Sequence, residues 1–174
     1  MRLRLFFGAR LWILASFPIV LFTVAACGWS AQAARDFEVT QFDGARFRLS
    51  EQIGTHAVVI NFWYPSCPPC REEMPAFQQA WEDLQGEPVR FLGLFVPQGF
   101  DSEQDARDFA DELGLTFSFA TDRLAKIADA YQLEAFPTTY FIDTDGKIAA
   151  THISRMKADE ITRLVRGLTS DRPY

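Results

Sequence analysis

Histidine and cysteine are scarce in this chain, with two of the first and three of the second among 174 residues. A structural zinc site draws on about four ligands, and neither His56 nor His152 is near Cys67 and Cys70 in sequence, so no resident metal is expected. No cluster of methionine or histidine stands ready for copper, which leaves Cu(I) capture by the two thiolates as the non-enzymatic alternative. Basic residues are also few. Three of the 17 Lys+Arg are Arg2, Arg4 and Arg10, and the remaining 14 face 23 Asp+Glu, a net charge of -9 beyond the leader. That balance argues against nucleic acid as a partner. Internal repeats and low-complexity runs are absent, and the roughly 140 residues after the leader match the length of one domain with one real core.

No acidic residue precedes Asp36, and Arg2, Arg4 and Arg10 stand before an apolar stretch from Leu11 to Ala26. This is the pattern of an export signal. Three endings fit it. Val24-Ala25-Ala26-Cys27 resembles a lipoprotein cleavage box in which Cys27 carries the lipid, and Ala31-Gln32-Ala33 fits cleavage to a soluble product. The uncharged run from Leu11 to Ala34 is also long enough to remain as a membrane anchor. All three keep the arginines on the cytoplasmic side and the body outside, where disulfides persist. The expected division is a signal sequence or anchor over 1–27, a tether over 28–36 and one domain over 37–174, with membrane contact through the N-terminal segment.

Beyond the leader only Cys67 and Cys70 remain, so no disulfide framework accompanies this pair. Ala57, Val58, Val59 and Ile60, continued by Phe62 and Trp63, predict a strand covered on both faces. Met74, Phe77, Trp81 and Leu84 then recur at helical spacing, so the cysteines sit where strand turns into helix. Two thiols in the first turn of a helix can close a disulfide and open it again. The unpaired N–H groups of the helix start favour the thiolate of Cys67, which predicts it as nucleophile and Cys70, one turn in, as the resolving thiol. Pro68 and Pro69 suit the first helical positions, where no N–H is needed, whereas Pro75 predicts a bend near Arg71 to Pro75.

The stretch INFWYPSCPPCREEMP, residues 60–75, resembles the active-site signature of the thioredoxin superfamily, in particular its extracytoplasmic TlpA-like (ResA-like and CcmG-like) branch. FPTTYFIDTDGKI at 136–148 resembles the family's cis-proline loop and following hairpin, and together the likeness covers residues 37 to 169. It implies an α/β thioredoxin-like fold: a central mixed sheet flanked by helices, an N-terminal hairpin and an insertion before the cis-proline loop. It also implies a cis Phe136-Pro137 bond beside the sulfurs, leaving the Phe136 backbone to pair with an extended substrate. Trp63 would pack beside the disulfide and shape the groove, so Trp63, Pro68, Phe136, Pro137 and Thr138 are the expected substrate-contacting positions. The chain departs from the pattern at three places. Asn61 stands where cytosolic thioredoxins bury an aspartate, as is usual in this branch, and Ser66 stands where a second tryptophan is common. Gln98 occupies the place of a glutamate carried by some haem-pathway members, which leaves the base for Cys70 unassigned.

Elsewhere, Phe37 to Thr40 and Arg46 to Leu49 flank Asp43-Gly44 and predict a hairpin. Val89 to Val96 reads as the next strand, Ser102 as the cap of a helix to about Leu113, and Phe117 to Ala120 as a short strand. Arg123 to Tyr131 predicts a helix with Leu124, Ile127 and Tyr131 on one face. Thr138 to Ile142 and Lys147 to His152 pair around Asp145-Gly146, and Lys157 to Gly167 forms a closing helix.

The expected activity is thiol–disulfide exchange with cysteines of exported proteins, with no cofactor. The resemblance implies recycling by a membrane electron donor of the DsbD or CcdA type, with cytochrome c maturation or copper-oxidase assembly as the setting. Peroxide reduction at a peroxiredoxin-like site is the second enzyme reading: Tyr64-Pro65 before Cys67 suits it, but Tyr64 occupies the place of that site's threonine.

Overall fold

The computed structural model describes residues 32–169. The segment expected to be signal or anchor, 1–27, lies outside the described residues, and Cys27 with it. β3 (Ala57–Trp63) is buried along its whole length, as its unbroken apolar run demands. It lies at the middle of a five-stranded sheet ordered β5-β4-β3-β6-β7. β4 (Val89–Phe95) runs parallel to β3, and β5 (Ser118–Thr121) parallel to β4. On the other side β6 (Thr138–Ile142) is antiparallel to β3, and β7 (Ile148–Ile153) antiparallel to β6. This is the thioredoxin-like α/β architecture, with a mixed sheet between helical layers.

Strand alternation divides β3 between two cores. Val59 and Trp63 join Met74, Phe77, Phe91, Phe141 and Ile161 on the face covered by α1 (Pro68–Asp83) and α4 (Ala158–Thr169). Val58, Ile60 and Phe62 join Phe47, Leu92, Ile127, Tyr131 and Tyr140 on the other. α1 runs through Pro75 as one helix and turns Cys70, Met74, Phe77 and Ala80 inward. α2 (Glu103–Glu112) starts at a capping box in which Ser102 and Asp105 satisfy each other's backbone N–H.

The hairpin of β1 (Glu38–Thr40) and β2 (Arg46–Arg48) turns at Asp43-Gly44, where Gly44 takes a φ of +90°. The entry to this turn closes the edge of β5: the Phe42 N–H donates to the Phe119 carbonyl at 2.8 Å. Gly93 in β4 has a different reason to be glycine, since an added Cβ would lie 2.4 Å from the Phe119 ring. Part of the stretch expected as a tether is bound to the domain. The Gln32 carbonyl accepts from Ile148 N–H, Ala33 pairs with Lys147, and the Asp36 carboxylate takes hydrogen bonds from Arg48 and the Ser50 N–H.

One element differs from expectation. The helix predicted over Arg123 to Tyr131 begins only at Lys126, as α3 (Lys126–Ala130), after a 3-10 turn in which Leu124 and Ala125 have φ of 65° and 53°. The buried Asp122 carboxylate accepts the N–H groups of Ile127 and Ala128 and so sets the helix start. Ile127 and Tyr131 reach the core, whereas Leu124 stays 80% exposed.

The parallel strands β3, β4 and β5 all finish at one end of the sheet, and β6 begins there. Residues gathered at the carboxyl ends of parallel strands form the usual site in α/β sheets. Cys67, Cys70 and Pro137 lie at this end.

Candidate active site

Cys67 and Cys70 are joined in a disulfide with a Cα–Cα distance of 5.3 Å. Cys67 is the N-cap residue of α1, in extended conformation, with Pro68 and Pro69 filling the first two helical positions. The Cys70 N–H donates to Cys67 Sγ at 3.2 Å, so a sulfur takes the part that a serine or aspartate oxygen usually plays at a helix start. That N–H and the helix terminus stabilise negative charge on Cys67 Sγ once the bond is reduced. Cys67 is 2% exposed and Cys70 fully buried, while Ser66 and Pro68 on either side of Cys67 are exposed.

The Phe136-Pro137 bond is cis. Phe62 pairs with Thr138, which sets Pro137 opposite Trp63 at the sheet end. The Tyr64 and Phe136 rings meet edge-on at 5.0 Å, tying the turn before the cysteines to the proline loop. The Pro137 carbonyl accepts from Ser154 N–H, and the Thr138 hydroxyl donates to the Ala135 carbonyl. Among the described residues the Phe136 N–H and C=O have no hydrogen-bond partner. Trp63 shares a buried cluster with Cys67 and Cys70, beneath the turn. It has no exposed surface and packs against Phe95, Phe109 and Phe119, so it supports the turn from beneath.

The residue that sequence reasoning missed is Glu73. It is 1% exposed, one turn beyond Cys70, on the stripe of α1 that also carries Met74 and Phe77. Its carboxylate accepts from Asn61 Nδ2 at 2.7 Å and from Met156 N–H at 3.3 Å, and Asn61 Nδ2 donates also to the Thr139 hydroxyl at 3.0 Å. Burial pushes its pKa up to about 7, against the pull of those two hydrogen bonds. Asn61 Oδ1, the other end of the same amide, is buried without a partner among the described residues. A signal for Glu73 did exist: positions 70, 73, 74 and 77 share one helical face, so the apolar stripe contained a charge.

On the outer side of the turn, the Asp101 carboxylate accepts from both the Ser66 N–H, at 3.0 Å, and the Ser66 hydroxyl, at 2.7 Å. Gln98 lies in the same loop, where its carbonyl accepts from the Asp101 N–H. Arg71 lies over the Phe109 ring at 4.3 Å and donates to the Pro65 carbonyl. A sulfur pair that opens and closes exchanges two electrons, and a buried carboxyl near neutrality is matched to moving one proton.

Comparison with known proteins agrees with this geometry. A family model described as the AhpC/TSA family matches residues 31–151. The chain is 29% identical over 164 residues to thiol-disulfide oxidoreductase ResA of Geobacillus thermodenitrificans, covering 86% of this chain and 92% of that relative. It is 32% identical over 130 residues to thioredoxin-like protein YneN of Bacillus subtilis, covering 75% of each. Among solved structures, a putative thiol:disulfide interchange protein DsbE from Chlorobium tepidum superimposes with a TM-score of 0.72 at 22% identity, covering 80% of this chain and 97% of that one. StoA from Bacillus subtilis gives 0.68 at 22%, covering 75% and 96%. Those two share the fold, and the sequence matches carry the activity class: the chain belongs to the AhpC/TSA family and is a thiol–disulfide oxidoreductase similar to ResA.

Proposed function

We propose that the protein works outside the cytoplasm as a dithiol reductant of cysteines in exported proteins. The observation that carries this reading is the reversible pair itself: Cys67 capping α1, its sulfur bonded by the Cys70 N–H, with Cys70 enclosed behind it. The Cys67 thiolate attacks one sulfur of a client disulfide, forming a mixed disulfide and releasing the other client sulfur as a thiolate. Cys70 then attacks Cys67 Sγ, which closes the internal disulfide and frees the second client thiol. Two electrons pass from protein to client. The Cys70 thiol must lose its proton first, and Glu73, one turn away and poised near neutral pH, is the group suited to take it. Pro68, Phe136, Pro137 and Thr138 border the place where the client lies, with the unpaired Phe136 N–H and C=O open to an extended strand.

The arginine-led apolar leader supports the location outside the cytoplasm. Among the described residues no helix is long and apolar enough to cross a membrane, so attachment rests with the leader. Pairing of Gln32 and Ala33 with the β6–β7 hairpin favours keeping these residues in the mature chain, and so a lipid-bearing Cys27 or a retained anchor over cleavage after Ala33. A membrane dithiol donor of the DsbD or CcdA type would reopen the disulfide after each turnover.

The test is trapping. In a Cys70→Ser variant the mixed disulfide has no resolving thiol, so clients should stay attached to Cys67. Clients with a haem-attachment motif place the protein in cytochrome c maturation, and copper-centre subunits place it in oxidase assembly. Recovery of no exported cysteine protein would sink the reading, as would rapid oxidation of Cys67 by hydrogen peroxide in the same variant.

A further inference from the structure

Apolar side chains left in water are unevenly distributed over this molecule. The three most exposed large ones are Phe100 at 106%, Leu124 at 80% and Ile153 at 52%. All three belong to the sheet end that holds the disulfide. Phe100 follows β4, Leu124 follows β5, and Ile153 closes β7 opposite Thr138. Ile53, packed against the turn at Gly146, and Leu113, at the far end of α2, are less exposed and lie away from it.

Phe100 is held where it is. The next residue, Asp101, takes two hydrogen bonds from Ser66, the residue before Cys67, and its N–H donates to the Gln98 carbonyl at 3.0 Å. The loop 97–101 is therefore tied to the turn that carries the nucleophile, yet its one aromatic ring is buried against nothing. A ring in water on a loop tied to Ser66, next in sequence to the sulfur that must bond to another protein, favours a partner able to cover it.

The bond to Cys67 fixes where that partner lies. Neighbouring strands are about 4.8 Å apart, so the loop after β4 is one strand from Cys67 and the turn after β5 is two. Residues of an extended client advance about 3.3 Å each, so one within two positions of its cysteine reaches Phe100. The Phe136 strand lies on the opposite side of β3, so this contact is additional to backbone pairing there.

We propose that Phe100, positioned by the Asp101–Ser66 tie, is a specificity-determining contact that selects client cysteines with a large aliphatic or aromatic side chain within two residues. The proposal rests on Cys67 and Cys70 acting in thiol–disulfide exchange. The reduced protein and a peptide disulfide then give oxidised protein and two peptide thiols, with no further reactant.

The test uses disulfide-linked dimers of two hexapeptides, one with leucine on both sides of its cysteine and one with serine, and hydroxyethyl disulfide as a disulfide without side chains. The reduced wild-type protein should consume the leucine peptide with a second-order rate constant about tenfold higher than for the serine peptide. Phe100→Ser should bring that ratio close to one while leaving hydroxyethyl disulfide unaffected, and Asp101→Ala should lower the ratio by freeing the loop. A wild-type ratio near one, or a Phe100→Ser protein that keeps its preference, overturns the proposal. Failure of the wild-type protein with all three disulfides removes the redox reading beneath it, and hydroxyethyl disulfide tells the two failures apart.

Discussion

Glu73 beneath the disulfide turn and Asp122 between β5 and α3 are each 1% exposed, and burial raises the pKa of both. Each takes hydrogen bonds from two donor groups, and their surroundings differ in the number and source of the contacts. The two oxygens of Asp122 share three contacts of 2.8 to 3.0 Å from the N–H groups of Ile127 and Ala128, so its charge is spent on starting a helix. Glu73 has one short hydrogen bond from the Asn61 amide and a longer one from Met156 N–H, too little to hold a full charge, and its pKa comes to about 7. Equal exposure therefore gives one carboxylate a structural duty and leaves the other able to gain and lose a proton. Contacts from the backbone N–H groups of a helix start mark the cap, and deeper desolvation marks the proton acceptor.

The largest expected effect is on stability against pH. The unfolded chain releases the Glu73 proton near the ordinary value of 4.5, whereas the folded protein holds it to about 7. The contribution is thus fully present below 4.5 and lost as pH rises through 7, about 3 kcal/mol by pH 8. Urea denaturation at pH 5 and pH 8 measures it, and Glu73→Gln should flatten the difference. An equal slope in the variant would end the distinction between the two carboxylates.

Next comes rate. Glu73→Gln should slow the Cys70-dependent release of a trapped peptide about 100-fold and remove the inflection near pH 7 from the pH–rate profile. Stopped-flow release kinetics over pH 5 to 9 decide it. Asp122→Ala should do the reverse, losing about 2 kcal/mol in urea denaturation while release by the folded protein keeps its rate. The smallest effect belongs to Thr139→Val. Removing the hydroxyl that accepts from Asn61 Nδ2 should cost about 1 kcal/mol of stability and leave the kinetic pKa at about 7, because Glu73 stays buried. A fall to the ordinary carboxylate range would show that Thr139, not burial, keeps Glu73 near neutrality.

Patterns short in sequence were legible where local rules act. The all-apolar run of β3, the prolines after Cys67, the Ser102 cap and the Asp-Gly turns each appear in the structure at or near their expected places. The helix over Arg123 to Tyr131 failed because periodicity alone does not show that Asp122 turns inward and takes the N–H groups of Ile127 and Ala128. The aromatic partners of Trp63 were not legible for a related reason. Its burial depends on Phe109 and Phe119, brought in from α2 and β5, and no window around the cysteines contains them.

By itself the sequence determined the redox pair and its place at the start of a helix, because spacing and apolar periodicity act over a few residues, while the mixed sheet around β3 followed from the family resemblance. Only the tertiary structure decided which carboxyl stays near neutrality and which loop reaches the disulfide. Glu73 meets Asn61 across 12 positions and Met156 across 83, and Asp101 meets Ser66 across 35. Desolvation and hydrogen-bond partners at such separations come into being when strands and helices pack, and a carboxylate's proton affinity follows from them.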